Sequence, residues 1–224
     1  MGIARIWRAF IYHRITDLYG DIPYSEAGKG YIDGVLKPKY DAQQDIYMDM
    51  LKEIEEGLAQ LGSSSSLGAS DLIFQGDMTK WKKFGNSLML RLAMRLSKAD
   101  AATAQAWASK AIAAGVMTSN ADIAYVQHLL GPEGINKNGH GEVFMADGNP
   151  RLSKTFVDFL KDDPRLPILG ARRSDGSTNP ADLMGMPNGL TSGALEAKYG
   201  TTSSDYAEPN RGVITGEDAP MVFQ

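Results

Sequence analysis

The fold class of this chain is decided by residues 41–62, which read DAQQDIYMDMLKEIEEGLAQLG. Apolar side chains recur there every three or four residues, the spacing that places them along one face of an α-helix. This stripe comprises Ile46, Tyr47, Met50, Leu51, Ile54, Leu58 and Leu61. Asp41 followed by Gln44 predicts a capping box at the start of the helix, and Gly62 predicts its end. We therefore expect an amphipathic helix with one buried face.

Similar patterns on either side predict a mostly α-helical protein. Amphipathic or alanine-rich stretches predict further helices at residues 3–18, 78–98, 100–115 and 153–160. Asp77 stands at the N-cap position of one of them. The small alanine side chains of another, at 100–115, allow two helix axes to approach closely, so we expect it to pack tightly against a neighbour.

The second half of the chain has a different composition. It is rich in Gly, Pro, Asn, Asp and Ser, so residues 129–150 and 170–220 are expected to be long irregular loops. Long loops in a compact domain are usually functional or mobile, and a ligand site is expected among them. We expect a single α-helical domain over residues 1–224, with a helical part at 1–115 and a loop-rich part at 116–224.

Composition and charge exclude several classes of function. The 224 residues include no cysteine, which excludes disulfides, thiolate nucleophiles and cysteine-based zinc sites. The net charge of −4 makes the chain a poor general partner for nucleic acid, which is bound largely through Lys and Arg. No apolar run approaches the ~20 residues that span a bilayer. The first residues lack the unbroken apolar stretch of a signal peptide, so we expect a cytoplasmic protein or a chain without its natural start.

The sequence carries no recognisable motif for catalysis or metal binding. His13, His128 and His140 form no close metal-ligating pair, and neither a nucleophile elbow nor a phosphate-binding loop occurs. Residues 175–179 begin like a calcium loop, but Met186 stands where the bidentate acid of such a loop is required. We therefore predict a protein that is not an enzyme and that holds no metal and no cofactor.

Four loop residues are candidates for ligand contact. Ligand sites are usually concave and combine aromatic faces with a few polar groups. The loop aromatics available for this role are Tyr125, Tyr199 and Tyr206. His140, in the glycine-rich segment His-Gly-Glu, is the most reactive-looking polar side chain of the loops. We take these four as ligand-binding candidates.

Three stretches, in order, resemble the SusD/RagB-like family of outer-membrane nutrient-binding lipoproteins. Residues 17–27 read DLYGDIPYSEA and match the family's first block, and residues 38–47 open with PKYD and match the second. The third block, residues 76–95, reads GDMTKWKKFGNSLMLRLAMR. The similarity covers most of residues 5–170 and is strongest in the first hundred, so a chance match to all three blocks is improbable.

The resemblance implies a fold and a place of action. It implies a mostly α fold of paired, tetratricopeptide-like helices with long irregular loops. It implies an outward-facing outer-membrane lipoprotein that captures glycans, or sometimes peptides, and passes them to a SusC-type TonB-dependent transporter. Family members begin with a signal peptide and a lipidated cysteine and continue into more helices. This chain has neither, so we expect an internal fragment of such a protein, truncated at both ends.

Two other functions stay open beside glycan capture. The paired helices could serve as a protein-interaction scaffold, in which case a large apolar patch is expected on a helix face. A concave, aromatic-lined region among the loops would instead favour ligand capture. A glycan hydrolase is the weakest alternative, because sequence cannot place the two facing carboxylates that such an enzyme needs.

Overall fold

A computed structural model describes residues 1–63, 67–128, 139, 150–210 and 221–223. The helices are α1 (Gly2–Tyr19), α2 (Gly30–Asp33), α3 (Gln43–Ala59), α4 (Met78–Arg95), α5 (Ala101–Ala114), α6 (Lys154–Phe159), α7 (Leu166–Leu169) and α8 (Ser192–Tyr199). The strands are β1 (Ile22–Pro23), β2 (Tyr40–Asp41), β3 (Ala124–Val126), β4 (Gly170–Arg172), β5 (Ala207–Pro209) and β6 (Met221–Phe223). The prediction of a mostly α-helical fold is confirmed.

The chain forms two compact units. Unit 1 comprises Met1–Ala124 with Phe223–Gln224, and unit 2 comprises Tyr125–Val222. Unit 1 holds the long helices α1, α3, α4 and α5 together with the short α2, and unit 2 holds the short helices α6, α7 and α8 and the β4–β5 pair. A single domain over the whole chain stays a prediction.

Unit 1 is built from helix pairs, since α1 packs on α3 and α4 packs on α5. The first pair is closest at Gly2 and Gly57. A Cβ on Gly2 would lie 2.4 Å from the Gly57 carbonyl oxygen, so no other residue fits there. Arg5 of α1 reinforces the pair by donating from Nε and Nη2 to the carboxylate of Glu53, at 2.9 and 2.8 Å. The apolar stripe predicted for α3 lies against this core.

The predicted start of α3 is wrong in one detail. The helix begins at Gln43 with Ala42 at its N-cap, and Asp41 lies in β2 instead of capping the helix. Its carboxylate accepts hydrogen bonds from the Ser25 N–H at 2.7 Å and from the Tyr24 N–H at 3.2 Å. The helix also ends at Ala59, before Gly62. A returning loop thus supplies Asp41 with donors that local sequence patterns do not reveal.

The predictions for the next two helices agree with the structure. The Asp77 carboxylate accepts hydrogen bonds from the N–H groups of Thr79 and Lys80 at the start of α4, as a helix cap does. Asp100 caps α5 in the same way by accepting from the Thr103 N–H at 3.0 Å. A cluster of aromatic rings fills the core beneath α4: Trp7, Phe10, Phe74, Trp81 and Phe84, with centroid separations of 5.0–6.3 Å.

Unit 2 combines short elements around a small apolar cluster. The predicted helix at 153–160 is present as α6, and the Ser153 hydroxyl caps it by accepting from the Phe156 N–H. Strands β4 and β5 pair antiparallel, with Gly170 opposite Pro209. The buried cluster of this unit comprises Val157, Leu160, Leu166, Leu183 and Ala207. This small core positions the loops that form the candidate site.

Candidate functional site

The candidate site is a cavity of about 430 Å³ in unit 2. One wall is a face of α6, which contributes Lys154, Val157 and Asp158 at the spacing of one helical turn, and Lys161 lies just after the end of that helix. The second wall is the segment 180–187, and the third carries Tyr199, Thr201 and Tyr206. The cavity thus combines an apolar interior with charged and hydroxyl groups at its walls, the composition typical of small-ligand sites.

Backbone hydrogen bonds hold the second wall against the first. The Lys154 N–H donates to the Met186 carbonyl at 2.8 Å, and the Met186 N–H donates to the Leu152 carbonyl at 2.8 Å. Between them, Gly185 approaches the α6 backbone so closely that a Cβ would lie 2.4 Å from Cα of Lys154. The wall therefore depends on glycine at this position, because any side chain would push the segment away from α6.

Tyr206 belongs to the interior of the cavity. Its side chain is only 3% exposed, and its hydroxyl lies 2.6 Å from the Thr201 hydroxyl oxygen. The next residue, Ala207, donates its N–H to the Met184 carbonyl at 2.7 Å, which fixes the third wall to the second. Tyr206 is thus placed to shape the floor and to present a fixed hydroxyl pair, not to offer an open ring face.

Tyr199 is the exposed aromatic ring of the cavity. It is the last residue of α8 and is 46% exposed. Gly200 follows in the left-handed conformation with φ 62°, which ends the helix and turns the chain toward Thr201. The ammonium of Lys198 lies 5.2 Å from the ring centroid and supports one side of it. The ring therefore remains available to stack on a ligand in the cavity.

Charged side chains of α6 and of the residues just after it line the same cavity. Lys154 and Asp158 form an ion pair one helical turn apart, and both side chains are more than half exposed. Lys161 has no carboxylate partner in the part of the chain that the structure describes. Its ammonium can therefore donate hydrogen bonds to hydroxyl or carbonyl oxygens of a ligand. The cavity thus offers an aromatic ring for stacking and polar groups for hydrogen bonding, which suits it to bind a ligand.

The structure brings together two of the four residues proposed from the sequence. Tyr199 and Tyr206 line the same cavity, whereas Tyr125 lies in β3 and is not among its lining residues. His140 lies outside the described residues. Sequence reasoning missed the contribution of α6, although the spacing of Lys154, Val157 and Asp158 on the helix predicted at 153–160 indicated a shared face.

A second cavity, of about 560 Å³, lies in unit 1, where residues 24–27 of the first signature block meet Arg8 of α1, Asp41 of β2 and Asp49 of α3. The Tyr24 hydroxyl donates to Asp49 at 2.7 Å, and the guanidinium of Arg8 lies 4.3 Å from the Tyr24 ring centroid. Burial raises the pKa of Tyr24, and the hydrogen bond to Asp49 raises it further. The Ser25 N–H lowers the pKa of Asp41 to about 2, with burial opposing the shift. These groups satisfy one another, so we assign the block to holding the loop between α1 and α3.

The described residues contain neither a metal-binding cluster nor a membrane-spanning helix. No cluster of three or more His, Cys, Asp or Glu side chains in residues 1–63, 67–128, 139, 150–210 and 221–223 is arranged to hold a metal ion. Within the same residues, no helix combines the length and the apolar character that crossing a membrane requires.

Comparison with known proteins identifies a family of similar chains. A family model described as SusD-like, starch-binding and associating with the outer membrane, matches residues 1–224. No curated protein matches the chain. Among solved structures, a chitin-binding protein is 31% identical to this chain with a TM-score of 0.81. The match covers 99% of this chain and 48% of the chitin-binding protein.

Two further solved structures have the same fold. A SusD homologue from Bacteroides vulgatus ATCC 8482 is 26% identical with a TM-score of 0.77, and the match covers 99% of this chain and 43% of the homologue. A chitin-binding SusD homologue from Flavobacterium johnsoniae is 24% identical with a TM-score of 0.77, and the match covers 100% of this chain and 44% of the homologue. At that identity the likeness to the third structure concerns the fold alone. The chain spans less than half the length of each of these structures.

Proposed function

This chain belongs to the SusD-like family, and we propose that it captures an oligosaccharide nutrient at the bacterial cell surface without chemically altering it. The matching family is described as starch-binding and associated with the outer membrane, and it is a family of binding proteins. One similar solved structure, 31% identical to this chain, is described as a chitin-binding protein. A glycan is therefore the ligand class that the comparisons favour.

The observation that carries the proposal is the cavity of unit 2. Aromatic faces pack against the C–H surfaces of sugar rings, and fixed polar groups bind the hydroxyls. Tyr199 offers the exposed ring, while Lys161 and the Tyr206–Thr201 hydroxyl pair offer hydrogen-bonding groups in the same cavity. A concave region with an aromatic wall supports ligand capture over a scaffold that acts only through helix faces.

Calorimetry on the 224-residue chain with maltohexaose and chitohexaose tests the proposal. Replacement of Tyr199 by alanine should weaken binding by about three- to tenfold, or about 0.7–1.4 kcal/mol, because the exposed stacking face of the cavity is lost. Tyr31→Ala is the matched control, since Tyr31 is a fully exposed tyrosine on α2, which is not part of the cavity. Firm binding of a peptide with no binding of any oligosaccharide would replace glycan by peptide as the ligand.

Delivery to a transporter is the second part of the proposal. We infer that the full-length protein is an outward-facing lipoprotein that hands its ligand to a SusC-type TonB-dependent transporter. The support is the family match, whose description associates these proteins with the outer membrane. Purification of the tagged full-length protein from outer membranes should recover such a transporter. Recovery of the protein alone, under conditions that preserve other outer-membrane complexes, would contradict this part only.

A further inference from the structure

A second aromatic cavity lies in unit 1, beside the β1–β2 pair, and is called here the hairpin cavity. It measures about 620 Å³ and is lined by Tyr12, Ile15, Tyr19, Asp21, Ile22, Pro23 and Tyr40. Three of these are tyrosines, drawn from α1 and from β2. The cavity is separate from the polar cavity around Asp49 and shares no lining residue with the cavity of unit 2.

The tyrosines of the hairpin cavity are held by their surroundings. Tyr12 is fixed from behind, because the Tyr24 ring meets it edge-on at 4.9 Å and the Arg8 guanidinium lies 5.2 Å from its centroid. Tyr40 is positioned by strand pairing, since it lies opposite Pro23 in the β1–β2 register. Tyr19 ends α1 immediately before Gly20, whose φ of 72° turns the chain into β1. The cavity is thus formed by defined backbone elements.

Two of these rings are unusually open to solvent. Tyr19 is 76% exposed and Tyr40 is 71% exposed, whereas large aromatic side chains are more often mostly buried. Exposed aromatic surface around a cavity marks a place where a ligand or a partner removes it from water. The exposed aliphatic side chains of the same connecting segment, Ile32 and Leu36, do not line the cavity. The lining is therefore chiefly aromatic at the surface, which suits a sugar ring better than an aliphatic protein surface.

One carboxylate completes the hairpin cavity. Oδ1 of Asp21 accepts the Gln43 N–H at 2.9 Å, which holds the side chain at the start of α3. Oδ2 of Asp21 accepts no hydrogen bond from the residues that the structure describes. Carboxylate oxygens are strong acceptors for hydroxyl donors. The cavity thus offers a fixed acceptor beside exposed aromatic faces.

We propose that the hairpin cavity is a second oligosaccharide-binding site, in which Tyr19 and Tyr40 stack on sugar rings and Asp21 accepts hydrogen bonds from sugar hydroxyls. The proposal rests on the proposed function, because it assigns the same class of ligand to a different part of the chain. It would give residues of the first and second signature blocks a role in ligand binding, in addition to holding the loop between α1 and α3.

Nuclear magnetic resonance of the isotope-labelled 224-residue chain tests this site directly. Addition of maltohexaose or chitohexaose should shift the backbone signals of residues 19–23 and of Tyr40. In the Tyr19→Ala/Tyr40→Ala variant, the Kd measured at these signals should rise by about tenfold or more, since both stacking faces are lost. The variant Tyr31→Ala should leave that Kd unchanged, and Tyr19→Phe/Tyr40→Phe should retain most of the binding because the rings remain.

The pattern of shifts separates this proposal from the proposed function. Shifts around Tyr199 without shifts at the hairpin cavity would overturn the second site and leave glycan capture by unit 2 standing. Shifts at the hairpin cavity that persist in Tyr199→Ala would support the second site independently of unit 2. No shift at either place with both oligosaccharides would overturn both proposals. A hairpin cavity that resists every oligosaccharide but is covered by a protein partner would identify it as a docking surface instead.

Discussion

His13 is a polar side chain inside the apolar core of unit 1. It is 1% exposed, and its Nε2 lies 3.0 Å from a carboxylate oxygen of Asp17, one helical turn further along α1. Asp17 also accepts the hydroxyl of Tyr47 from α3 and pairs with Arg95 Nε from α4 at 3.0 Å. This group therefore joins three helices. Because Asp17 already has a cationic partner, a second charge on His13 would be expensive to bury.

Burial lowers the pKa of His13 below its ordinary value of 6.5, with Asp17 opposing the shift and Arg91, Arg95 and Arg14 adding to it. The folded state then binds fewer protons than the unfolded state, so this contribution to stability is present above pH 6.5. It is lost as the pH falls from 6.5 toward the lowered pKa. Urea unfolding should show this loss of stability when it is measured at about pH 8 and about pH 5.5, two values that bracket the ordinary histidine pKa.

The His13→Gln variant is the control for this pH dependence. It removes the buried titrating group and leaves the other histidines in place, so its unfolding midpoint should fall less between the two pH values. Equal pH dependence for the variant and the unaltered chain would show that folding does not shift the pKa of His13, because Asp17 then offsets the effect of burial.

At the scale of an element, two aspartates organise the segment that leads into α4. Asp71 is buried, and its carboxylate accepts the Trp81 indole N–H at 2.7 Å, together with three backbone N–H groups, those of Ile73, Phe74 and Gly76. Burial opposes ionisation, but these donors outweigh it and lower the pKa of Asp71. Asp77 then caps the helix from an exposed position. Both aspartates accept hydrogen bonds from N–H groups, but Asp71 is buried whereas Asp77 is exposed.

Their replacement by alanine should therefore differ in cost. Asp77→Ala removes an exposed helix cap and should destabilise unit 1 by about 1 kcal/mol. Asp71→Ala leaves the Trp81 indole and several amides without an acceptor and should cost about 3 kcal/mol or more, because each buried unsatisfied donor is expensive. Urea unfolding of both variants followed by circular dichroism measures the difference. Similar losses for the two would mean that water replaces the Asp71 carboxylate.

At the scale of the whole molecule, the two units have cores of different size. Unit 1 buries the apolar faces of its long helices, including Ile6, Met50, Ile54 and Leu92, which are fully buried. Among the described residues of unit 2, the buried apolar cluster comprises Val157, Leu160, Leu166, Leu183 and Ala207. Because stability follows buried apolar area, the helical core should open least often.

Amide hydrogen exchange should therefore be slower in α1, α3 and α4 than in α6, α7 and the β4–β5 pair. The expected difference is about tenfold or more in protection factor, which corresponds to about 1.4 kcal/mol between the opening free energies of the two units. Mass spectrometry of exchanged peptides gives the comparison within one sample. Equal protection in both units would indicate that they open together as one cooperative domain, as the sequence led us to expect.

Local sequence patterns predicted the long helices correctly. The features that they missed depend on contacts between residues far apart in the chain. The periodicity of α3 and the cap at Asp77 are read within one or two helical turns, so both were predictable. Asp41 was misassigned because its donors, at residues 24 and 25, arrive from a loop sixteen or more residues earlier. Likewise, nothing local distinguishes the buried Tyr206 from the exposed Tyr199. Their difference arises only when the walls of the cavity assemble.

The aromatic cluster of unit 1 determines what optical spectroscopy can observe in this protein. All three tryptophans of the chain, Trp7, Trp81 and Trp107, lie in unit 1. Trp7 and Trp81 meet edge-on at 6.3 Å, so their fluorescence depends on the packing of the helical core. Selective tryptophan excitation therefore follows the melting of unit 1 without any label. A ligand entering the cavity of unit 2 has only tyrosine as a native reporter there, and a titration that records tryptophan emission alone would miss it.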